Sequence, residues 1–329
     1  MKSGVGTEQR VTVNNMASFQ LMRVLRPVLV VLLLLGIVLG PAAAGKTGQL
    51  TVFWGRNKAE GSLREACDTG IYTTVIISFF SVFGHGKYWT DLSGHDAYGV
   101  GADIKHCQSK QILVLLSIGG DGNGYSLPTA KSARDVADQL WNAYLGGHQQ
   151  KGVFRPFGDA VLDGVDFFID HGGSANYDEL ARRLAGYNNN SKKKQGVILT
   201  ATVRCLEGSQ DDTNSDLALS TGLIGRIHVR FYNNTMCSFN DDSDVGTDNR
   251  RPFYGSWLGW AERYPKAKLF VGLPAAKDAV VDGWIDPDNE LPNRALPLVQ
   301  DTPGYVGVML WNRYFDRRDN YGLRIKNMV

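Results

Sequence analysis

From Gln49 onward the chain alternates two kinds of segment: short apolar runs rich in β-branched and aromatic residues, and stretches with helical spacing between them. The apolar runs fall at Gln49–Trp54, Thr73–Phe80, Ile112–Ile118, Val165–Asp170, Val197–Val203, Arg226–Tyr232, Lys268–Leu273 and Tyr305–Trp311. Several of them (VIISFF, ILVLLSI, VGVMLW) are apolar almost throughout, as parallel strands covered on both faces must be. Helical patterns lie between them at Ser62–Cys67, Ser132–Tyr144, Tyr177–Asn188 and Ser256–Tyr264. This rhythm over residues 45–329 predicts a single-domain (β/α)8 TIM barrel. A doubly wound open sheet is the alternative on pattern alone. No linker or internal repeat calls for a second domain.

The first 44 residues stand apart from this pattern. Arg23 and Arg26 precede the apolar run Val28–Leu39, and the small residues Pro41-Ala42-Ala43-Ala44 follow it. That is a signal peptide with a long polar lead, and its apolar run is too short to span a bilayer. Translation from Met16 or Met22 would shorten the lead. A secreted, extracellular (apoplast) protein is expected, with its mature chain beginning near Gly45 and no stable membrane association. All four cysteines, Cys67, Cys107, Cys205 and Cys237, lie in the mature part. An even count in a secreted chain predicts two disulfides, with three pairings open. The six histidines are scattered and no cysteine pair has CxxC spacing, so neither a metal site nor a cofactor is expected. Asn189-Asn190-Ser191 and Asn233-Asn234-Thr235 are glycosylation sequons. A net charge of +2 gives no reason to expect nucleic acid as a partner, and a monomer is expected.

In a barrel of this kind, chemistry is carried at the C-terminal ends of the strands. The residues there are Trp54, Phe80, Gly119-Gly120, Asp166, Asp170, Arg204, Tyr232 and Trp311. Carboxylates, an arginine and aromatics suit a carbohydrate cleft, with Trp54 and Trp311 as stacking candidates or, equally, as core. The fourth run carries the densest chemistry. In LDGVDFFIDHG (Leu162–Gly172), Asp166, Phe168 and Asp170 share one strand face and Val165, Phe167 and Ile169 the other. Three other stretches have plainer readings. Gly119–Gly124 (GGDGNG) lacks the spacing of a phosphate loop and reads as a tight turn at the barrel mouth. Asn240–Asp248 (NDDSDVGTD) does not fit a calcium loop and reads as solvated. Lys192-Lys193-Lys194 reads as a solvated loop or as a contact for an acidic partner.

The fourth run resembles the DGxDxDxE signature of glycoside hydrolase family 18, in its plant class III branch. VFWGRNKAEGSLREAC, LLSIGG, RFYNN and GVMLW extend that resemblance over the whole mature chain. VGADIKHCQSK, RPFGDAVLDGVD, LTATVRC and LWNRYFD are closer still to the cereal xylanase inhibitors, chitinase-fold proteins without chitinase activity. The resemblance implies a TIM barrel with Cys67 bonded to Cys107 and Cys205 to Cys237. In family 18 the substrate's own N-acetyl group is the nucleophile, a Glu ending the fourth strand is the acid, and an Asp two residues earlier assists. A Tyr on the sixth strand helps hold the acetamido group. By resemblance the Glu position is Asp170, the assisting Asp position is Phe168, and the Tyr is kept as Tyr232. Losing one preorganised electrostatic partner costs about a hundred- to a thousandfold in rate. Shortening the acid by a methylene withdraws it by more than the roughly 1 Å that can cost on the order of a hundredfold. Asp166 lies deeper in the barrel, where the family has a supporting residue.

The resemblance therefore implies a catalytically impaired, defence-related inhibitor of microbial xylanases of families 11 or 10. A weak chitinase using Asp170 and a lectin-like module binding chitin or xylan oligosaccharides are the rival readings. In the inhibitors, a basic residue before the fifth strand enters the cleft of family 11 xylanases. Asn190 occupies its place here and Lys192, Lys193 and Lys194 follow. The lysine used against family 10 enzymes corresponds to Asp288, which reverses the charge.

Overall fold

The computed structural model describes residues 48–147, 152–190, 196–206, 213–239 and 252–329. The leader, the lysine run and the acidic run 240–248 lie outside them. Eight parallel strands form the barrel: β1 (Gln49–Trp54), β2 (Thr74–Val82), β3 (Leu113–Gly120), β4 (Gly164–Ile169), β5 (Ile198–Arg204), β6 (Arg226–Arg230), β7 (Lys268–Pro274) and β8 (Tyr305–Trp311). Each bonds to its sequence neighbours, and β1 bonds to both β2 and β8. That last pairing closes the sheet and excludes the doubly wound alternative. A two-residue strand, Trp89–Thr90, runs antiparallel to the end of β2.

The strands are covered by α1 (Leu63–Asp68), α2 (Ala97–Ser109), α3 (Ala130–Ala143), α4 (Tyr177–Gly186), α5 (Thr213–Ser220), α6 (Pro252–Arg263) and α7 (Leu296–Val299), with α8 (Arg313–Asp319) and α9 (Tyr321–Ile325) after β8. Their starts are written in the sequence. Ser62 and Glu65 form a capping box at α1, Thr129 and Ser132 another at α3, and Asp96 caps α2. In α3, Ala133, Val136, Ala137 and Leu140 are buried, the i, i+3, i+4, i+7 stripe that a barrel-covering helix needs. Helix α2 escapes the periodicity reading because its buried positions, Val100, Ile104 and Cys107, are few and it carries two glycines. Helix α7 has Pro297 near its start and follows a π-turn, Leu291–Ala295, so no regular pattern announces it. The expected strand Arg226–Tyr232 stops two residues early, at Arg230.

Alternation along the strands divides the apolar residues into two cores. The larger lies between barrel and helices. The smaller fills the lumen with Phe53, Ile76, Phe79, Leu115, Phe168, Phe270 and Met309. This corrects two expected cleft residues. Trp54 is 1% exposed and belongs to the outer core, because in β1 it is Phe53 whose parity points inward. The Trp54 indole N–H donates to the Gly61 carbonyl at 3.0 Å and its ring lies 4.3 Å from that of His95. In the same way Phe80 packs outward while Phe79, beside a register shift in β2, faces the lumen.

Both disulfides join as the family resemblance implied, Cys67–Cys107 between α1 and α2 and Cys205–Cys237 between the segments after β5 and β6. The second closes a loop with a sequence separation of 32. Removing it by Cys205→Ala/Cys237→Ala is expected to cost about 3–4 kcal/mol through the larger entropy of the unfolded chain. Denaturant unfolding of the oxidised wild type and the double variant measures this directly, and equal midpoints would contradict it.

Candidate active site

Strand β4 and the residue that follows it, Asp170, supply three side chains, one at each of three depths. Deepest is Asp166, fully buried. Ser117 of β3 donates to its Oδ2 at 2.8 Å, Thr200 of β5 to its Oδ1 at 2.6 Å, and Thr202 to both oxygens at 3.0 and 3.1 Å. His228 Nδ1 lies 3.6 Å away. Register dictates this cluster, since Asp166 pairs with Ser117 on one side and Thr200 on the other. A carboxylate so completely engaged supports the barrel and is out of reach of a substrate at the mouth.

One step higher is Phe168. Its ring centroid lies 5.8 Å from Phe53, 5.1 Å from Phe79 and 5.9 Å from Trp311. These edge and tilted contacts are the arrangement that aromatic quadrupoles favour. Trp311, expected at the cleft, is half-buried here and touches the lumen aromatics. Gly119, at φ +102°, faces Phe168 across the β3–β4 ladder, where a Cβ would fall 2.2 Å from the Phe168 carbonyl oxygen. That close approach explains the glycine pair of GGDGNG.

Highest is Asp170, with its side chain 12% exposed. Arg230 of β6 grips it with both arms of the guanidinium, Nη1 to Oδ2 at 3.0 Å and Nη2 to Oδ1 at 2.5 Å. Arg204 stands 3.7 Å from Oδ1. Burial pushes the Asp170 carboxyl up, but the charge and hydrogen bonds of Arg230, with smaller contributions from Arg204 and His171, hold it below the usual carboxylate range. Arg230 also lies with its Cζ 4.1 Å from the Phe168 centroid. Tyr125 fixes the backbone at this point: its hydroxyl donates to the Gly120 carbonyl at 2.5 Å and accepts from the Asp170 and His171 N–H groups at 3.2 and 3.1 Å. Tyr232 is buried beside the site, and its hydroxyl meets no partner among the described residues. Burial pushes its phenol up.

The structure thus brings Asp166, Phe168, Asp170, Arg204, Tyr232 and Trp311 to one end of the barrel. It does not bring Trp54. Arg230 was not singled out from the sequence, although it sits two residues before Tyr232 on the same alternating face. Among the inhibitor-loop residues, Asn190 ends a short 3-10 turn, Tyr187–Asn190, that also contains the sequon residue Asn189. Lys192, Lys193 and Lys194 lie outside the described residues. Asn233 is exposed. Asp288 is exposed and paired with Arg324.

Chemically, the arrangement opposes acid catalysis of glycoside cleavage. A general acid must carry a proton near working pH, and Asp170 is held ionised by an arginine that occupies both its oxygens. Phe168 presents a hydrocarbon ring with a guanidinium on it, an arrangement that would repel a positive charge developing beside it. Because the folded pKa of Asp170 is depressed, its ion pair contributes stability above the unfolded carboxylate pKa, about 3.9, and that stability is lost as pH falls through the lower folded value. Asp170→Asn is expected to cost about 3 kcal/mol at neutral pH, since it strands a buried Arg230. The difference should shrink towards pH 3, and urea melts at both pH values check this. An equal deficit at both would remove the ion pair from the account.

The family model for glycosyl hydrolases family 18 matches residues 49–285. The chain is 53% identical over 303 residues to xylanase inhibitor protein 1 of Oryza sativa subsp. japonica, covering 91% of this chain and 95% of that one. It is 40% identical over 287 residues to acidic endochitinase SE2 of Beta vulgaris, covering 85% and 91%. Among solved structures, the xylanase and alpha-amylase inhibitor protein of Scadoxus multiflorus superposes with a TM-score of 0.76 at 35% identity, covering 84% of this chain and 97% of that one.

Proposed function

The chain belongs to glycosyl hydrolase family 18, and from that premise we propose that it is a secreted inhibitor of microbial xylanases that no longer hydrolyses chitin. The observation that carries the second half is the Arg230–Asp170 pair resting on Phe168: the acid is neutralised, and the assisting carboxylate is absent. Identity to a named xylanase inhibitor well above that to a named endochitinase supports the first half. Two disulfides in the folded domain, together with the leader pattern of residues 1–44, support an extracytoplasmic, apoplastic location. The exposed sequon residue Asn233 is suited to carry a glycan there.

Xylanases of families 11 and 10 are the intended partners. For family 11 the lysine run beside Asn190 is the contact: a lysine can approach a catalytic carboxylate as a point charge, although it lacks the fork of an arginine. For family 10 the Asp288 position, already paired with Arg324, offers no cation. Family 11 enzymes are therefore the stronger target.

Titration of purified protein against family 11 and family 10 xylanases over a range of pH tests this reading. Family 11 inhibition is expected, with Lys192→Ala and Lys193→Ala each raising the inhibition constant about tenfold, or ~1.4 kcal/mol. The proposal fails if both xylanase families keep full activity. Separately, the wild type is expected to leave soluble chitin oligomers intact, while Phe168→Asp/Asp170→Glu/Arg230→Gln gains measurable turnover. Wild-type turnover that disappears in Asp170→Ala would reverse the non-catalytic half.

A further inference from the structure

The turn after β3 holds the one Asn-Gly dipeptide of the chain, Asn123-Gly124. Such a pair is chemically labile where the fold leaves it free. The glycine backbone nitrogen can attack the asparagine amide carbon, because glycine has no Cβ to obstruct the approach and rotates readily into the geometry required. A folded chain suppresses this reaction by engaging the amide, by using the glycine N–H in a hydrogen bond, or by burying both. None of these protections is found at this turn. Asp121, Gly122, Asn123 and Gly124 are all exposed. Among the described residues the Asn123 side chain meets no hydrogen-bond partner, and the Gly124 N–H donates to none. At Gly122 an added Cβ would meet nothing within 4 Å.

The turn is fixed at both ends and open between them. The Gly120 carbonyl accepts from the buried Tyr125 hydroxyl at 2.5 Å, and the Gly124 carbonyl accepts from the Phe83 N–H at 3.3 Å. The reacting peptide is therefore an arch in solvent, where an extra backbone atom displaces no packed group. Other positions open to the same chemistry are protected. Of the Asp-Gly pairs, Asp163 Oδ2 accepts from Gln108 at 3.0 Å and from the Val114 N–H at 2.9 Å, and Gly164 is buried in β4. Asp282 Oδ1 accepts from the Asn234 N–H at 2.9 Å and the Ser238 hydroxyl at 3.1 Å. Among the asparagines, the Asn57 and Asn312 side chains accept from backbone N–H groups at 2.9 and 3.1 Å, and Asn142 donates to the Asp138 carbonyl at 2.8 Å.

We propose that Asn123 is a site of spontaneous deamidation in the folded protein. The Gly124 nitrogen forms a bond to Asn123 Cγ and the Cγ–Nδ2 bond breaks. Ammonia leaves with the proton that the Gly124 nitrogen gives up, and a succinimide remains. Water then opens this ring at either carbonyl, giving an aspartate at 123 or an isoaspartate whose main chain runs through Cγ. No oxidant or reductant is needed. Either product places a new carboxylate beside Asp121 at the barrel mouth and lowers the formal net charge of +2 by one. The site thus turns more acidic as the molecule ages, whatever the protein binds. Storage of the purified protein in neutral buffer, below its unfolding temperature, tests this by ion exchange, peptide mapping and isoaspartyl methyltransferase labelling. An acidic species is expected, with its mass change and its label at 123, formed at least about tenfold faster than at any other asparagine. Asn123→Gln, whose attack would need a larger ring, should abolish that species, and fresh Asn123→Asp should elute with its aspartate form. The proposal is overturned if Asn123 keeps its amide in the folded protein while the urea-unfolded chain loses it. It is equally overturned if the acidic species still forms in Asn123→Gln.

Discussion

Closure of the eight strands is the constraint on which the rest of this structure depends. Once β1 is bonded to both β2 and β8, alternate residues of every strand must be packed inside the lumen. A polar group placed there needs partners at its own depth. Asp166 has them because Ser117 and Thr200 sit at its register on the adjoining strands. At the depth of Phe168 the neighbours are Phe53, Phe79 and Trp311, and a hydrocarbon ring is the side chain that this surrounding accepts without a donor.

The three mouth residues form one coupled unit. Phe168 gives Arg230 a face to lie on, and Arg230 in turn needs an anion, because a buried guanidinium without one costs several kcal/mol. Asp170 provides it and is held ionised as a result. Each of these side chains therefore fits only in the presence of the others. A carboxylate at 168 alone would give Arg230 a second anion to bind. Residues in contact are not expected to contribute additively, and altering this site requires several changes together.

Much of this was legible from periodicity. The β1 and β8 boundaries coincide with the apolar runs, and the inward parity of Asp166, Phe168 and Asp170 follows from counting along one strand. The differences share a cause: the end of an apolar run does not fix to which side of the sheet its last side chain points. Trp54 and Phe80 end apolar runs, and their chemistry suits a cleft, but Phe53 and Phe79 hold the inward places. Arg230 lies within RFYNN, where the family motif marks the tyrosine and not the arginine. Counting back by two from Tyr232 reaches Arg230 and then His228, both of which contact β4 residues. Tyr125 carried no such signal. Its hydroxyl bridges β3 and β4 through backbone groups, and no pattern in sequence marks an acceptor that distant.

A closed barrel is a rigid platform, and rigidity is what recognition requires of it. The segments after β6 and β7 are joined to each other by Asp282 and Asn233 and to the C-terminal helices by two arginine–aspartate pairs. Those pairs are exposed, and as isolated contacts each would contribute little to stability. Their effect is geometric: they fix the segment after β7 against the body of the domain. In the lumen, by contrast, Asp166 and Asp170 have both carboxylate oxygens engaged by side chains of neighbouring strands. Recognition by this barrel is therefore to be sought on the segments at its rim.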